Sequence, residues 1–308
     1  METRKIGSLD VSVVGLGCNN FGWRIDAAAT ATVVDAALEA GIQFFDTATL
    51  YGGGQSEEFL GRALGKRRSR VIIASKFGHP QEGTGKGGRP AYLQEAIETS
   101  LRRLGTDYID LYQLHMPDPE VPIADTLGAL EALVRAGKVR EIGCSNFSAT
   151  QLREAAREVK PGAARFVSVQ NEYSLLHREP EAEVLPEAGR SHVAFLPYFP
   201  LASGLLTGKF RPGQGAPEGS RLSDAGMKGR FVSEEKVART EELRRFAESR
   251  GHTLLELAFS WLLARRPVAS VIAGATSAGQ IRANAAAAGW RLDPEELAKV
   301  DALAGSAS

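Results

Sequence analysis

Short apolar runs alternate along this chain with longer stretches in which apolar residues recur at helical spacing. The runs fall at residues 13–16, 43–45, 71–75, 109–114, 139–144, 166–170, 193–196 and 269–272. Most are rich in β-branched or aromatic residues and free of Gly and Pro, the pattern of parallel strands buried on both faces. Through the seventh, their starts are spaced by about thirty residues, the length of one strand-plus-helix unit. Between them, residues 27–39, 91–104, 127–136 and 149–159 predict amphipathic helices; Leu93, Ile97, Leu101 and Leu104 share one face of the second. Two further helices, 234–249 and 254–263, fill the interval before the eighth strand. Residues 293–303 predict a last helix, with Asp293 as cap, Pro294 in the first turn, and Glu295 and Glu296 suiting its dipole.

Eight such units predict a single-domain (β/α)8 barrel spanning residues 1–308. The competing fold, an open doubly wound sheet, carries a glycine-rich phosphate loop after its first strand. Here the first run ends GLGCNNFG, whose glycines miss that spacing. One Gly-x-Gly-x-x-Gly match does occur, at residues 83–88, in a polar loop with no strand immediately ahead of it, and it reads as loop. Residues 78–89 and 200–231 interrupt the rhythm with Gly-, Pro- and polar-rich sequence. They follow the third and seventh strands, so they predict long loops at the C-terminal mouth, where barrel active sites are built.

Composition narrows the function classes. Acidic and basic residues balance at 37 each, which gives no charge signature for nucleic acid or a membrane surface. No stretch approaches the ~18 apolar residues of a membrane span. The N-terminus is too charged for a signal peptide, so a cytoplasmic protein is expected. Five scattered histidines and two cysteines form no metal-ligand spacing, and no metal or disulfide framework is expected.

Candidate chemistry sits at strand ends. The second strand ends in Asp46 with Tyr51 five residues on, the third in Lys76, the fourth in His115. In a barrel these strands are neighbours and their ends share one mouth. Singly, each residue has an ordinary structural explanation: a turn carboxylate, a solvated lysine, a packing aromatic, a structural histidine. Together they make a general-acid site. A tyrosine with pKa near 10 is a poor acid near neutrality. A neighbouring ammonium lowers that value, a carboxylate balances the ammonium, and an imidazole can orient a carbonyl oxygen.

The strings FFDTATLYGGGQSEEFLGRAL, VIIASKFG, SLRRLGTDYIDLYQLHMPD, GKVREIGCSNFS, VQNEYSLLHRE and PLASGLLTGKF, in this order, resemble the aldo-keto reductases. The resemblance runs from the N-terminus to the last helix. It implies reduction of an aldehyde or ketone by a nicotinamide cofactor, with a catalytic tetrad falling on Asp46, Tyr51, Lys76 and His115. It also implies an N-terminal hairpin over residues 5–13 that plugs the barrel bottom. Ser145, Asn146 and Gln170 resemble the residues that hold the nicotinamide carboxamide, and Tyr198 the aromatic stacked under its ring. The stretch from Leu201 through Gly204 to Lys209 resembles the pyrophosphate loop, with Phe199 replacing a common serine. Gly274, Ala275, Thr276, Gln280 and Asn284 resemble the adenosine segment. Cys18 and Asn19 are expected near the cofactor, with Phe21 and Trp23 lining the substrate pocket or capping the barrel. NADP is the expected cofactor, with NAD as the alternative, because Gly274, Thr276 and Gln280 occupy places where many members carry basic residues. Two other functions are weighed: a Schiff-base aldolase using Lys76, and a slow, channel-associated regulatory subunit. The substrate is a small carbonyl compound, and the sequence leaves its identity and the oligomeric state open.

Overall fold

A computed structural model describes residues 1–82, 87–210 and 220–305. The chain opens with a hairpin of β1 (Thr3–Ile6) and β2 (Leu9–Ser12), antiparallel with Ile6 opposite Leu9. Then come β3 (Val14–Gly17), α1 (Ala27–Glu39), β4 (Phe44–Asp46), α2 (Gln55–Leu64), β5 (Ile72–Phe77) and α3 (Pro90–Leu104). After these come β6 (Ile109–Leu114), α4 (Ile123–Arg135), β7 (Val139–Ser145), α5 (Ala149–Glu158), β8 (Phe166–Glu172), α6 (Val184–Arg190) and β9 (Ala194–Tyr198). The chain finishes with α7 (Ala225–Phe231), α8 (Glu234–Ser249), α9 (Leu254–Leu263), β10 (Val271–Gly274), α10 (Ala278–Ala286) and α11 (Pro294–Ala304).

Strands β3 to β10 form one parallel sheet in the order β10-β3-β4-β5-β6-β7-β8-β9. The sheet closes where Phe195 pairs with Val268: its amide donates to Pro267 O at 2.6 Å and its carbonyl accepts from Ala269 N at 3.0 Å. The expected (β/α)8 barrel is therefore the fold. Local signals hold the helices in place. Asp26 caps α1 through Ala29 N, and Ser148, Thr253 and Asp293 form capping boxes on α5, α9 and α11.

The hairpin runs from Thr3 to Ser12, two residues earlier at its start than the 5–13 expected. Ile6, Leu9 and Val11 pack with Phe44, Leu111, Val167 and Ala269 in the barrel interior. Burying each of the three contributes about 2 kcal/mol and closes the end opposite the mouth. A second, larger apolar layer lies between strands and helices.

Several strands extend further towards the mouth than their apolar runs: β5 includes Lys76, β7 Ser145, β8 Asn171 and Glu172, and β10 Gly274. Ladder hydrogen bonds use only backbone, so polar residues continue a strand as well as apolar ones. Helices α2 and α6 had no counterpart in the periodicity reading, and α7 lies inside the stretch read as a long loop. Of the two loops, residues 83–86, with most of the glycine match at 83–88, and residues 211–219 lie outside the described residues.

Candidate active site

Along β4, β5 and β6, alternate residues face the barrel axis, which brings Asp46, Lys76 and Gln113 inside. Lys76 is fully buried and Asp46 is 3% exposed. Lys76 Nζ donates to Asp46 Oδ2 at 2.6 Å, to Thr47 O at 3.0 Å and to Tyr51 Oη at 3.3 Å. The other Asp46 oxygen accepts from Gln170 Nε2 at 3.0 Å and Gln113 Nε2 at 3.4 Å. Tyr51 is brought over Lys76 by a tight turn in which Gly52, Gly53 and Gly54 have φ of 58°, 64° and 98°. Any side chain is strained there. At Gly52 a Cβ would also sit 2.8 Å from Phe21 O, so the turn packs backbone on backbone.

His115 follows β6, and its amide donates to Phe77 O at 2.8 Å. Its ring stands edge-on to Tyr51, centres 6.0 Å apart, and 4.9 Å from His79. His115 Nδ1 is buried without a partner among the described residues. Burial, with Lys76 and His79 adding to it, holds the imidazole well below its usual pKa, so the ring is neutral near pH 7. Burial also works against the Lys76 ammonium, but Asp46 and Tyr51 outweigh it and the pKa lies above the ordinary value. For Tyr51 the balance differs from the sequence expectation. Lys76 does pull the phenol pKa down, but burial is the larger effect, and the phenol ends above its ordinary value.

From this cluster a cavity of about 880 Å³ extends across the mouth to Asn284. At the tetrad end it is bounded by Leu50, Tyr51, His79, His115 and Met116. Ser145, Asn146, Gln170 and Tyr198 form its next section. Asn146 takes a left-handed conformation, φ 63°, and donates to His115 O at 3.0 Å while accepting from Tyr198 Oη at 2.8 Å. Burial pushes the Tyr198 phenol up to about 12, so it remains a donor. Ser145 Oγ donates to Gln170 O at 2.8 Å.

Past Tyr198 the chain turns sharply. Phe199, Ala202, Ser203 and Gly204 all have positive φ. Three of the four are not glycine, a concentration of backbone strain that marks functional segments. Ser203 Oγ is buried and unpartnered among the described residues. Opposite stands Arg221, which donates to Asn19 Oδ1 at 2.7 Å and Asn20 Oδ1 at 2.8 Å, and lies 5.9 Å from the Phe199 ring. No carboxylate pairs with it among the described residues. Burial and nearby Arg24 lower its pKa to about 10, so it stays charged at neutrality. At the far end Ser277 caps α10, and Gln280 Oε1 accepts from Thr276 N at 2.7 Å and Thr276 Oγ1 at 3.2 Å. None of the lining residues from Ile272 to Asn284 is Lys or Arg.

Most of the singled-out residues meet in this cavity, including Asn19, Leu201, Gly204, Lys209, Gly274, Thr276, Gln280 and Asn284. Lys76 lies just beneath its floor. Four do not reach it. Ala275 is buried in the outer layer. The Cys18 thiol is buried in the outer layer and bonds Leu16 O, because successive side chains alternate across the barrel wall. Phe21 is fully buried in that same layer, and Trp23 is 63% exposed with Arg24 over its ring. Arg221, Asn20, Ser203, His79 and Gln113 escaped the sequence reading. Arg221 sits in a stretch with no periodicity to place it. Gln113 left a signal, a polar residue alternating with Leu111 on an otherwise apolar strand.

No group of three His, Cys, Asp or Glu side chains among the described residues is placed to hold a metal ion. No helix there is long and apolar enough to cross a membrane. Compared with known proteins, residues 13–304 match the model of the aldo/keto reductase family. Aldo-keto reductase YhdN of Bacillus subtilis is 36% identical over 307 residues, covering 96% of this chain and 90% of that protein. Aldo-keto reductase yakc [NADP(+)] of Schizosaccharomyces pombe is 36% identical over 281 residues, covering 86% and 80%. Among solved structures, the glycerol dehydrogenase AKR11B4 of Gluconobacter oxydans superposes with TM-score 0.83 at 32% identity, covering 98% of this chain and 94% of that one. The holo form of aldo-keto reductase AKR11C1 from Bacillus halodurans gives 0.82 at 34% identity, covering 100% and 97%.

Proposed function

The chain belongs to the aldo/keto reductase family, and from that premise we propose that it reduces an aldehyde or ketone to an alcohol with Tyr51 as general acid. The observation that carries this is the Asp46–Lys76–Tyr51 chain of hydrogen bonds ending beside a neutral His115 at one end of the trough. The trough's polar groups fit a nicotinamide dinucleotide. Asn146 and Gln170 suit an amide, and an unpartnered Ser203 hydroxyl and the carboxylate-free Arg221 suit phosphate.

When bound, the dinucleotide supplies the hydride. Tyr51 gives its phenolic proton to the carbonyl oxygen as charge develops there. Lys76 steadies the phenolate left behind, and Asp46 keeps Lys76 protonated and aimed. His115 stays neutral and hydrogen-bonds the carbonyl oxygen, turning it towards Tyr51. Tyr198 and Phe199 offer ring faces beside the amide-binding groups. A Schiff-base lysine needs a depressed pKa, and the buried, Asp46-paired Lys76 is held in the opposite direction.

The cofactor is NADP in this reading. The yakc relative carries NADP(+) in its name, and Thr276, Ser277 and the start of α10 offer hydroxyl and amide donors to a 2′-phosphate. NAD is the second reading, favoured by the missing basic side chains on that wall. Fluorescence titration with NADPH and NADH decides between them. NADPH should bind at least about tenfold tighter, a difference of about 1.4 kcal/mol. Equal or tighter NADH binding makes the enzyme NAD-linked, and no saturable binding of either sinks the reductase reading. In the same assay Arg221→Gln should weaken both dinucleotides alike, by about 10- to 100-fold, the range for a lost charge-assisted hydrogen bond. Unchanged affinity would remove Arg221 from the site.

A further inference from the structure

The barrel interior holds one amide that the proton-transfer chain leaves without a role. Gln113 is fully buried on β6, paired in the sheet with Lys76 on one side and Gly143 on the other. Its Nε2 donates to Asp46 Oδ1 at 3.4 Å, and its Oε1 accepts from Ser168 Oγ at 3.5 Å. With Gln170 also on Oδ1 and Lys76 on Oδ2, the Asp46 carboxylate is gripped from both sides. The neighbouring strand makes room for this. A Cβ at Gly143 would overlap Ser168 Oγ and come within 3.2 Å of Gln113 Cγ. The barrel forgoes a side chain at the position where one would break the Ser168–Gln113–Asp46 chain.

An apolar residue of the same size would fill this space at lower cost. Desolvating an amide is unfavourable, and bonds of 3.4 and 3.5 Å return little of that. We propose that Gln113 is a positioning residue for the proton donor: by holding Asp46 Oδ1, it sets how Lys76 Nζ is shared between Asp46 and the Tyr51 hydroxyl. Gln113 does not line the cavity, so it acts through these groups and not on substrate or dinucleotide. This rests on the assignment of Tyr51 as the acid.

Lys76 Nζ lies 2.6 Å from Asp46 and 3.3 Å from Tyr51 Oη. With Gln113 gone, the carboxylate loses a donor and draws the ammonium closer, and the field that stabilises phenolate weakens. The phenol then ionises at higher pH. The other groups facing Tyr51 are His115 at the mouth, the Tyr198 phenol and Arg221 across the trough, and the Cys18 thiol behind. None of them touches Gln113.

The test is a spectrophotometric titration of phenolate formation, each protein read against its own Tyr51→Phe counterpart, with no substrate present. Gln113→Met keeps the size and removes both hydrogen bonds. Its Tyr51 midpoint should rise by about 0.5–1 unit, about a three- to tenfold loss of acidity. Ser168→Ala, one bond further out, should move it the same way by less. In turnover, kcat of Gln113→Met should fall by a similar factor, and the alkaline limb of its pH profile should move up, with KM and dinucleotide affinity unchanged. An unmoved midpoint in folded Gln113→Met overturns the proposal. If that variant does not fold, an unmoved midpoint in Ser168→Ala does so. A wild-type protein without dinucleotide-linked carbonyl reduction would sink the functional reading, while the titration would still decide the role of Gln113.

Discussion

Replacing Tyr51 with phenylalanine should cut carbonyl reduction by about 100- to 10,000-fold, the usual contribution of a positioned general acid, while dinucleotide affinity stays within about twofold. The ring is kept, so the turn over Gly52–Gly54 and the contact with His115 survive. What is lost is the proton and the partner of Lys76 Nζ at 3.3 Å. A phenol pushed above its ordinary pKa by burial is fully protonated at pH 7, which suits a donor in the reductive direction. Steady-state kinetics with a simple aldehyde, beside the fluorescence titration, checks both halves. Near-normal kcat in Tyr51→Phe would remove Tyr51 as the acid. Loss of dinucleotide binding would mean the substitution had damaged more than the proton transfer.

Lys76→Met should cost both activity and stability. It leaves the Asp46 carboxylate buried with two amides and no cation, and breaking a buried pair this way costs about 3–5 kcal/mol. A fall in melting temperature on the order of 10 °C follows. The pH dependence has a definite sign. The Lys76 pKa is raised in the fold, so its contribution is complete below the unfolded-state value and fades only as pH rises through the folded value. The deficit should therefore be constant across neutral pH and shrink only above about pH 10. Adding Asp46→Asn removes the stranded charge and should restore most of the melting temperature without restoring turnover. Recovery of activity in the double variant would show that the pair serves stability alone.

Much of this molecule was legible in one dimension. Eight apolar runs, the first seven at regular spacing, specify eight strand-plus-helix units, because burial on both faces demands apolar residues throughout a parallel strand. The cap at Asp293 is a local hydrogen bond to Glu296 N three residues on, so sequence records it directly. Asp46, Tyr51, Lys76 and His115 could be singled out because polar residues at successive strand ends stand out against apolar strands. Helices α2 and α6 were missed where apolar spacing was weak. α2 reads QSEEFLGRAL, and it is held by Leu60 and Leu64 against the sheet rather than by a continuous apolar face.

Closure of the barrel decided the rest. It set the register that puts Gln170 on Asp46 from 124 residues away, and Gln113 on the same oxygen. It carried Arg221 across the mouth to Asn19, 202 residues distant. It also determined that Phe21 faces the outer layer and Trp23 the solvent, which strand alternation alone left open. The direction of the Tyr51 pKa belongs to the tertiary structure too. Sequence supplies the ammonium that lowers it, but desolvation depends on everything packed around the ring. Periodicity and capping are written in neighbouring residues, whereas register, charge sharing and burial exist only once distant strands have met.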